Sequence, residues 1–235
     1  CSSDLVDAGF SVRELVKRLD RAGCAPEAVD ALFITHEHGD HVGGALAFAS
    51  RYRVPLITSR GTWRAVGHPE FDPALLRLTR DGEVVPLGDL ELHPFAVPHD
   101  ANEPLQLTLH DGAARLGLVT DLGSAPDNVS QALSACHALL LECNHDEAML
   151  RGGPYHPALK KRILGSHGHL SNTAAADLLA RCLHARLTLV AAAHLSETNN
   201  TPDLALAALA PVVGGSPLEI RVAHPKLGLD WMSVA

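Results

Sequence analysis

Short apolar segments alternate with helical patterns along this chain, and this alternation constrains the fold more than any other feature. The apolar segments have the length of buried strands and lie at 31–35, 54–58, 90–97, 105–109, 115–120, 138–142 and 187–193. Helical patterns lie at 12–22, 42–52, 63–66, 129–135, 172–183 and 202–209. Strands that alternate with helices predict an α/β architecture built in layers.

Composition limits the class of protein and its location. A chain of 235 residues can bury a sizeable core, so we expect one domain. The formal net charge of −8 gives no overall basic field for nucleic acid, although bound divalent cations would reverse the sign locally. The five cysteines are scattered without a CxxC pair, which favours free thiols in a reducing cytoplasm. We expect no membrane span and see no signal peptide, but the chain starts with Cys1 rather than Met, so a lost targeting segment stays open.

Three imidazoles and a carboxylate lie within six residues, in His36-Glu37-His38-Gly39-Asp40-His41. The cluster directly follows the apolar segment 31–35, so it is expected on the loop that leaves a buried strand. Imidazole and carboxylate groups are ligands for zinc, iron or manganese. Four such groups exceed what one tetrahedral site usually takes from a single loop, and the surplus predicts two adjacent metal ions.

Other polar residues also follow predicted strands. His99 and Asp100 follow 90–97, Asp121 follows 115–120, and His194 follows 187–193. In α/β sheets, functional sites assemble from the loops at strand ends. One such residue alone would usually be a turn former, but the set together with the six-residue cluster predicts a metal site.

The motif HxHxDH, followed by a strand-end His, Asp and His, resembles the metallo-β-lactamase superfamily. The resemblance implies a four-layered αβ/βα sandwich that takes up residues 1–235 as a single domain. Asp7, in Val6-Asp7-Ala8-Gly9, resembles the first family motif, in which an Asp orients a metal-ligating histidine; a turn former before Gly9 is the alternative. The fold normally opens with a strand pair before this motif, so the N-terminal hairpin is expected to be truncated or abbreviated.

Three further segments resemble one branch of that superfamily, the YycJ/WalJ/VicX branch. They are Ala193-His194-Leu195-Ser196-Glu197-Thr198-Asn199-Asn200, Gly168-His169-Leu170-Ser171-Asn172 and Leu141-Glu142-Cys143-Asn144-His145-Asp146. The branch is related to ribonuclease Z and to PhnP phosphodiesterases, and its members are associated with 5′-to-3′ DNA exonuclease activity.

The resemblance implies a ligand set for two divalent ions, zinc or manganese, with iron as a further option. One ion takes His36, His38 and His99, and the other takes Asp40, His41 and His194. Asp121 bridges them, which suits a carboxylate because its two oxygens can each reach an ion. Glu37 and Gly39 are then spacers.

Two residues are predicted to be catalytic, Asp40 and His169. Paired metal ions lower the pKa of a water and supply the nucleophile. His169 resembles the ribonuclease Z histidine near the leaving group, where it could donate a proton; a capping role before the helix at 172–183 is the alternative.

Substrate contacts are predicted from position and charge. His145 follows a strand, and Ser196 and Asn199 lie in a polar turn after His194 that could hold a phosphate, although such turns also arise for conformational reasons. Lys160, Lys161 and Arg162 form a basic group between His145 and His169 that could bind DNA phosphates; a solvated charged face is the commoner meaning of such a run.

The favoured function is that of a dinuclear metal-dependent phosphodiesterase in the cytoplasm, a 5′-to-3′ exonuclease with DNA as its partner and no membrane association. One alternative is a hydrolase of small esters, cyclic phosphodiesters or thioesters on the same metal site. The other is a non-catalytic regulatory protein with a vestigial site. The oligomeric state stays open.

Overall fold

The computed structural model describes residues 3–67 and 70–234, which fall into two compact units. The first unit comprises Cys1–Ala96 and Ala101–Leu105, and the second comprises Val97–Asp100 and Gln106–Ala235. The single-domain organisation and the abbreviated N-terminal hairpin stay predictions. The predicted free thiol of Cys1 lies outside the described residues.

The first unit is built on a parallel sheet of four short strands. They run in the order β1 (Asp4–Val6), β2 (Ala31–Ile34), β3 (Leu56–Ser59) and β4 (Leu76–Thr79), each parallel to the next. Its helices are α1 (Val12–Arg21), α2 (Gly39–Val42), α3 (Ala45–Tyr52) and α4 (Arg60–Val66). An antiparallel hairpin of β5 (Val85–Leu87) and β6 (Leu90–Ala96) also belongs to this unit.

The core of the first unit joins the apolar face of one helix to strands that are buried throughout. Leu15 and Leu19 lie four residues apart on α1, so both face inward. They belong to the same buried cluster as Leu32 and Ile34 of β2 and Phe48 of α3. All residues of β2 and β3 are buried, as expected for parallel strands that are covered on both faces.

The second unit contains a larger group of strands, four of which run parallel. These strands are β7 (Leu105–His110, in the second unit from Gln106), β8 (Arg115–Val119), β9 (Ala138–Glu142), β10 (Leu189–Ala193) and β11 (Glu219–Val222). β7 pairs antiparallel with β8, and β8, β9, β10 and β11 are parallel neighbours. The helices are α5 (Asp127–Leu133), α6 (Glu147–Gly152), α7 (Pro157–Ile163), α8 (Asn172–Cys182) and α9 (Pro202–Val213).

The parallel strands of the second unit end at the same edge of the sheet. The register pairs Val119 with Leu141, and Leu141 with Ala192. The residues that follow β8, β9 and β10 therefore emerge side by side, in the place where α/β sheets assemble their sites.

The predicted elements are present, with shifted ends. The helix predicted at 42–52 is two helices, α2 and α3, because Gly43 and Gly44 separate them. The short helix predicted at 63–66 begins earlier, at Arg60, where Ser59 accepts a hydrogen bond from the backbone of Thr62. The prediction missed β1, β4, β5, β11, α6 and α7, which are short and mostly half-buried or exposed, so they carry little hydrophobic periodicity.

Both units combine parallel strands with helices, which confirms the α/β prediction. Among the described residues, none of the helices has both the length and the apolar character needed to cross a membrane.

Candidate metal centre

The six-residue cluster of the first unit lies on the loop that leaves β2 and on the start of α2. His36 is fully buried and His41 is buried, whereas Asp40 is exposed. Nε2 of His36 lies 3.0 Å from Nδ1 of His38, and the ring centroids of His36 and His41 are 4.1 Å apart. These imidazoles are therefore gathered in one place, as the spacing predicted.

Asp7 contacts the cluster from the end of β1. Its Oδ2 accepts a hydrogen bond from Nδ1 of His41 at 2.7 Å and another from the Thr35 hydroxyl at 2.8 Å. Because that hydroxyl donates its proton to Asp7, it must accept from Nδ1 of His36, which lies 3.0 Å away. Both histidines thus carry their proton on Nδ1, which makes Nε2 the nitrogen that can bind a metal ion.

Glu37 is not a spacer, contrary to the sequence-based prediction. Its Oε1 accepts hydrogen bonds from the backbone N–H of Asn102 at 2.9 Å and from the Asn102 amide at 2.6 Å. Glu37 therefore ties the histidine loop to the segment 101–105. Nothing in the local sequence around Glu37 pointed to a partner 65 residues away.

A second cluster lies in the second unit, at the edge where β8, β9 and β10 end. Asp121, Glu142, His169 and His194 each offer a ligand atom, and these four atoms lie within 4.8 Å of one another. Oδ1 of Asp121 is 3.6 Å from Nε2 of His194 and 3.5 Å from Nδ1 of His169. The strand-end positions of Asp121 and His194 thus bring these two side chains together.

Glu142 is the functional residue that the sequence analysis missed. It is fully buried at the end of β9, and its carboxylate accepts from Nδ1 of His194 at 2.8 Å and from Nδ1 of His169 at 2.9 Å. The other oxygen, Oε2, accepts from the backbone N–H of Leu170 and of Leu122. The strand-end rule that selected Asp121 would have selected Glu142 too, because it directly follows four apolar residues.

The contacts of Glu142 set the protonation of this cluster. Burial alone would raise the pKa of Glu142, but the hydrogen bonds from His169 and His194 lower it overall. Burial likewise opposes the charged form of His169, yet the bond to Glu142 raises the pKa of that histidine. An ionised Glu142 therefore orients both rings through Nδ1 and favours a proton on His169.

His99 follows β6 and is buried in the second unit. Its Nδ1 donates to the carbonyl oxygen of Gly168 at 3.1 Å, which leaves the Nε2 lone pair for a metal. Nε2 lies 3.6 Å from Oδ1 of Asp100 and 4.0 Å from Oδ1 of Asp121. Burial lowers the pKa of His99, which favours the neutral imidazole that binds metal ions.

The predicted substrate-binding residues differ in their surroundings. His145 is 1% exposed and lies in the interior, and its role as a substrate contact stays a prediction. Asn199 is also buried and donates its backbone N–H to the Ser196 hydroxyl, so this turn is fixed by its own side chains. Lys161 is exposed.

The two neighbours of Lys161 have partners within the protein. Nζ of Lys160 donates to the carbonyl oxygens of Arg151 and Gly153, both at 2.7 Å, at the carboxyl end of α6. The guanidinium of Arg162 donates to Asp100. The three cations predicted as one group therefore differ in their interactions, and Lys160 neutralises the carbonyl oxygens at the carboxyl end of a helix.

Residues 5–191 match the family described as the β-lactamase superfamily domain. This chain belongs to that superfamily. Among curated superfamily proteins, it is 32% identical over 234 residues to an exodeoxyribonuclease YycJ of Bacillus anthracis, covering 95% of this chain and 88% of the relative. It is 34% identical over 205 residues to an exodeoxyribonuclease WalJ of Streptococcus pneumoniae serotype 2, covering 86% and 76%. The predicted superfamily and its YycJ/WalJ branch are confirmed.

Solved structures of the superfamily confirm the fold. The metallo-β-lactamase fold protein YhfI of Bacillus subtilis has a TM-score of 0.71 at 18% identity, covering 98% of this chain and 87% of YhfI. Zinc-bound PqqB of Methylobacterium extorquens has a TM-score of 0.68 at 18% identity, covering 97% and 82%. A diphosphatase of the PhnP family has a TM-score of 0.64 at 20% identity, covering 97% and 80%. The chain therefore has the metallo-β-lactamase fold, which implies divalent metal ions.

Proposed function

We propose that this protein is a metal-dependent phosphodiesterase that degrades DNA as a 5′-to-3′ exodeoxyribonuclease. The observation that carries the proposal is the 32% identity, over 95% of the chain, to a protein named as an exodeoxyribonuclease. The buried histidines and carboxylates of the two units support a metal-dependent reaction, since imidazole nitrogen and carboxylate oxygen suit zinc, manganese and iron.

The proposed ligands are those that the family resemblance implies. His36, His38 and His99 would hold one divalent ion, Asp40, His41 and His194 would hold the other, and Asp121 would offer its carboxylate to both. The donor set fits these roles, because His36, His41, His99 and His194 each direct Nδ1 at an oxygen, and a proton on Nδ1 makes Nε2 the nitrogen that can bind a metal. We expect zinc or manganese, with iron as a further option.

The chain's own residues orient the reaction and handle the proton. When bound, two divalent ions lower the pKa of a water and offset the charge on a phosphate. Asp7 and Glu142 hold the histidines through Nδ1, and Asp40 contributes an exposed carboxylate at the start of α2. His169 donates a proton from its ring to the departing 3′ oxygen, which the ionised Glu142 beside it supports.

Substrate contacts are assigned to the residues that can reach solvent. Lys161 and Arg162 are exposed on α7 and would contact DNA phosphates. Ser196 and the backbone of its turn are the second candidate contact. Lys160 and Asn199 bond to neighbouring groups of the protein and His145 is buried, and the contact of these three residues with substrate stays a prediction. We also propose that the protein is located in the cytoplasm and does not associate with a membrane.

The test compares three substrates on protein reconstituted with Mn²⁺ or Zn²⁺, with bound metal measured by elemental analysis. Duplex DNA labelled at either the 5′ or the 3′ end reports degradation and polarity, and bis-p-nitrophenyl phosphate and a lactone report small-ester hydrolysis. We expect about two equivalents of metal and stepwise loss of nucleotides from the 5′ end.

Two outcomes would contradict the proposal. Intact DNA with turnover of a small ester would favour a hydrolase of small esters, cyclic phosphodiesters or thioesters. Less than one equivalent of metal after reconstitution, with no turnover, would favour a regulatory protein with a vestigial site. Asp121→Ala serves as the metal-deficient control.

A further inference from the structure

Asp100 directly follows His99, and its carboxylate faces two partners. Oδ1 lies 3.6 Å from Nε2 of His99, the nitrogen proposed to bind metal. Oδ2 accepts a hydrogen bond from Nε of Arg162, at the end of α7. The backbone N–H of Asp100 donates to the carbonyl oxygen of His167 at 3.0 Å, which anchors the main chain at this residue. Asp100 therefore connects the proposed metal ligand His99 to one arginine.

Arg162 keeps most of its donor capacity after this contact. Its side chain is 57% exposed, against 31% for Asp100. Among the described residues, the guanidinium hydrogen-bonds to Asp100 through Nε, so Nη1 and Nη2 remain available at the surface. A guanidinium edge with two parallel N–H donors matches the geometry of a phosphate group.

The neighbouring cations lack this arrangement. Nζ of Lys160 is occupied by the carbonyl oxygens of Arg151 and Gly153. Lys161 is exposed, and a flexible ammonium group offers charge without a fixed direction. Of these three cations, Arg162 is the one held next to a proposed metal ligand.

We propose that Asp100 is a positioning residue that holds Arg162 beside His99, and that Arg162 binds a DNA phosphate adjacent to the one that is cleaved. This inference rests on the proposed nuclease function. It identifies Asp100 and Arg162 as residues that make the enzyme prefer a polymeric substrate. A small diester has a single phosphate, so it cannot occupy the metal site and Arg162 together. The pair would therefore favour a polynucleotide over a small ester.

The first experiment compares Arg162→Ala and Arg162→Lys with wild type on 5′-labelled DNA and on bis-p-nitrophenyl phosphate. Because a charged hydrogen-bonded contact to phosphate is lost, we expect the ratio of kcat/KM for DNA to that for the small diester to fall about 10- to 100-fold in Arg162→Ala. The fall should appear in KM for DNA, and Arg162→Lys should recover part of it. The slope of log KM for DNA against log KCl should decrease by about one.

The matched control is Arg53→Ala. Arg53 also forms an exposed ion pair with an aspartate, Asp72 at 2.7 Å, and its side chain is 64% exposed. We expect wild-type ratios for this variant. A ratio in Arg162→Ala that equals that of Arg53→Ala would overturn the role of Arg162.

The second experiment isolates the positioning role of Asp100 with Asp100→Ala and the double variant Asp100→Ala/Arg162→Ala. Asp100→Ala keeps the guanidinium charge but frees it, so KM for DNA should rise about 3- to 10-fold while the salt slope stays that of wild type. The double variant should be no worse on DNA than Arg162→Ala, because both changes remove one interaction. Additive losses, or loss of bound metal in Asp100→Ala, would overturn the positioning role.

The inference and the proposed function fail in different ways. If the wild-type protein loaded with metal leaves DNA intact, the nuclease proposal fails and the inference fails with it. If the wild-type protein degrades DNA and Arg162→Ala retains the wild-type substrate ratio and salt slope, the inference alone is wrong.

Discussion

Glu142 determines the orientation of two histidines through one buried carboxylate. One oxygen accepts hydrogen bonds from both imidazoles, and the other accepts from two backbone N–H groups. The carboxylate thus makes four hydrogen bonds within the protein. A carboxylate only accepts hydrogen bonds, so it forces the Nδ1 proton on each ring. An amide in its place would direct an NH₂ group at two of these donors, because each oxygen accepts from two.

We therefore expect Glu142→Gln to lower the free energy of unfolding by about 2–5 kcal/mol, because a buried donor is left without an acceptor. Urea denaturation followed by circular dichroism measures this change. The control is Glu147→Gln, since Glu147 is exposed and pairs with Arg151 on the surface of α6, where the cost should stay below about 1 kcal/mol. Equal losses in the two variants would contradict the role of Glu142.

His169 is proposed to donate the proton to the leaving oxygen. We expect His169→Ala to lower kcat on DNA by about 10²- to 10⁴-fold, the usual contribution of a general acid. Hydrolysis of bis-p-nitrophenyl phosphate should fall much less, because p-nitrophenolate leaves without protonation.

The control for that change is His167→Ala, an exposed histidine on the same loop. A loss in His169→Ala that is the same on DNA and on the nitrophenyl ester would contradict proton donation and leave His169 a structural role.

At the scale of elements, the turn between β1 and α1 packs directly on α2. A Cβ atom on Gly9 would lie 1.8 Å from the carbonyl oxygen of Asp40, and the backbone N–H of Ala8 donates to the carbonyl oxygen of His41. The backbone of Asp7-Ala8-Gly9 thus positions the helix that carries two proposed ligands. Close approach of two backbones explains why glycine stands at position 9.

Gly9→Ala should therefore destabilise the protein by about 1–3 kcal/mol and reduce its bound metal, because the turn must move away from Asp40. Gly39→Ala is the matched control, since a Cβ atom there meets nothing within 4 Å and the change should cost less than about 1 kcal/mol. Thermal unfolding and elemental analysis measure both effects. Similar behaviour of the two variants would show that the close approach is unimportant.

At the scale of the whole molecule, the buried thiols make stability depend on pH in the alkaline range. Burial raises the pKa of Cys136 and of Cys143 to about 12, and that of Cys182 to about 11, from an ordinary value of 9.0. Between about pH 9 and pH 11 the thiols of the unfolded chain lose their protons, whereas those of the folded chain keep most of theirs. The unfolded state then binds fewer protons, so stability falls as pH rises.

We expect the urea midpoint to decrease between pH 8 and pH 10.5, and to decrease less in Cys143→Ala than in wild type. Cys24→Ala should behave like wild type, because Cys24 is only half-buried. An alkaline decrease in Cys143→Ala as steep as in wild type would contradict this account.

The sequence by itself determined the α/β class and the first half of the candidate site. Residues within six positions of one another stay close in any fold, so His36, His38, Asp40 and His41 had to lie near one another. The apolar segment before them placed this cluster at the end of a strand. Only the tertiary structure decided which residues orient the ligands. Glu142 bonds to His169 and His194, Glu37 bonds to Asn102, and Asp100 bonds to Arg162. The partners in these pairs are 27 to 65 residues apart in the sequence. Such pairs depend on strand order and register, which set contacts over distances that local sequence patterns do not encode.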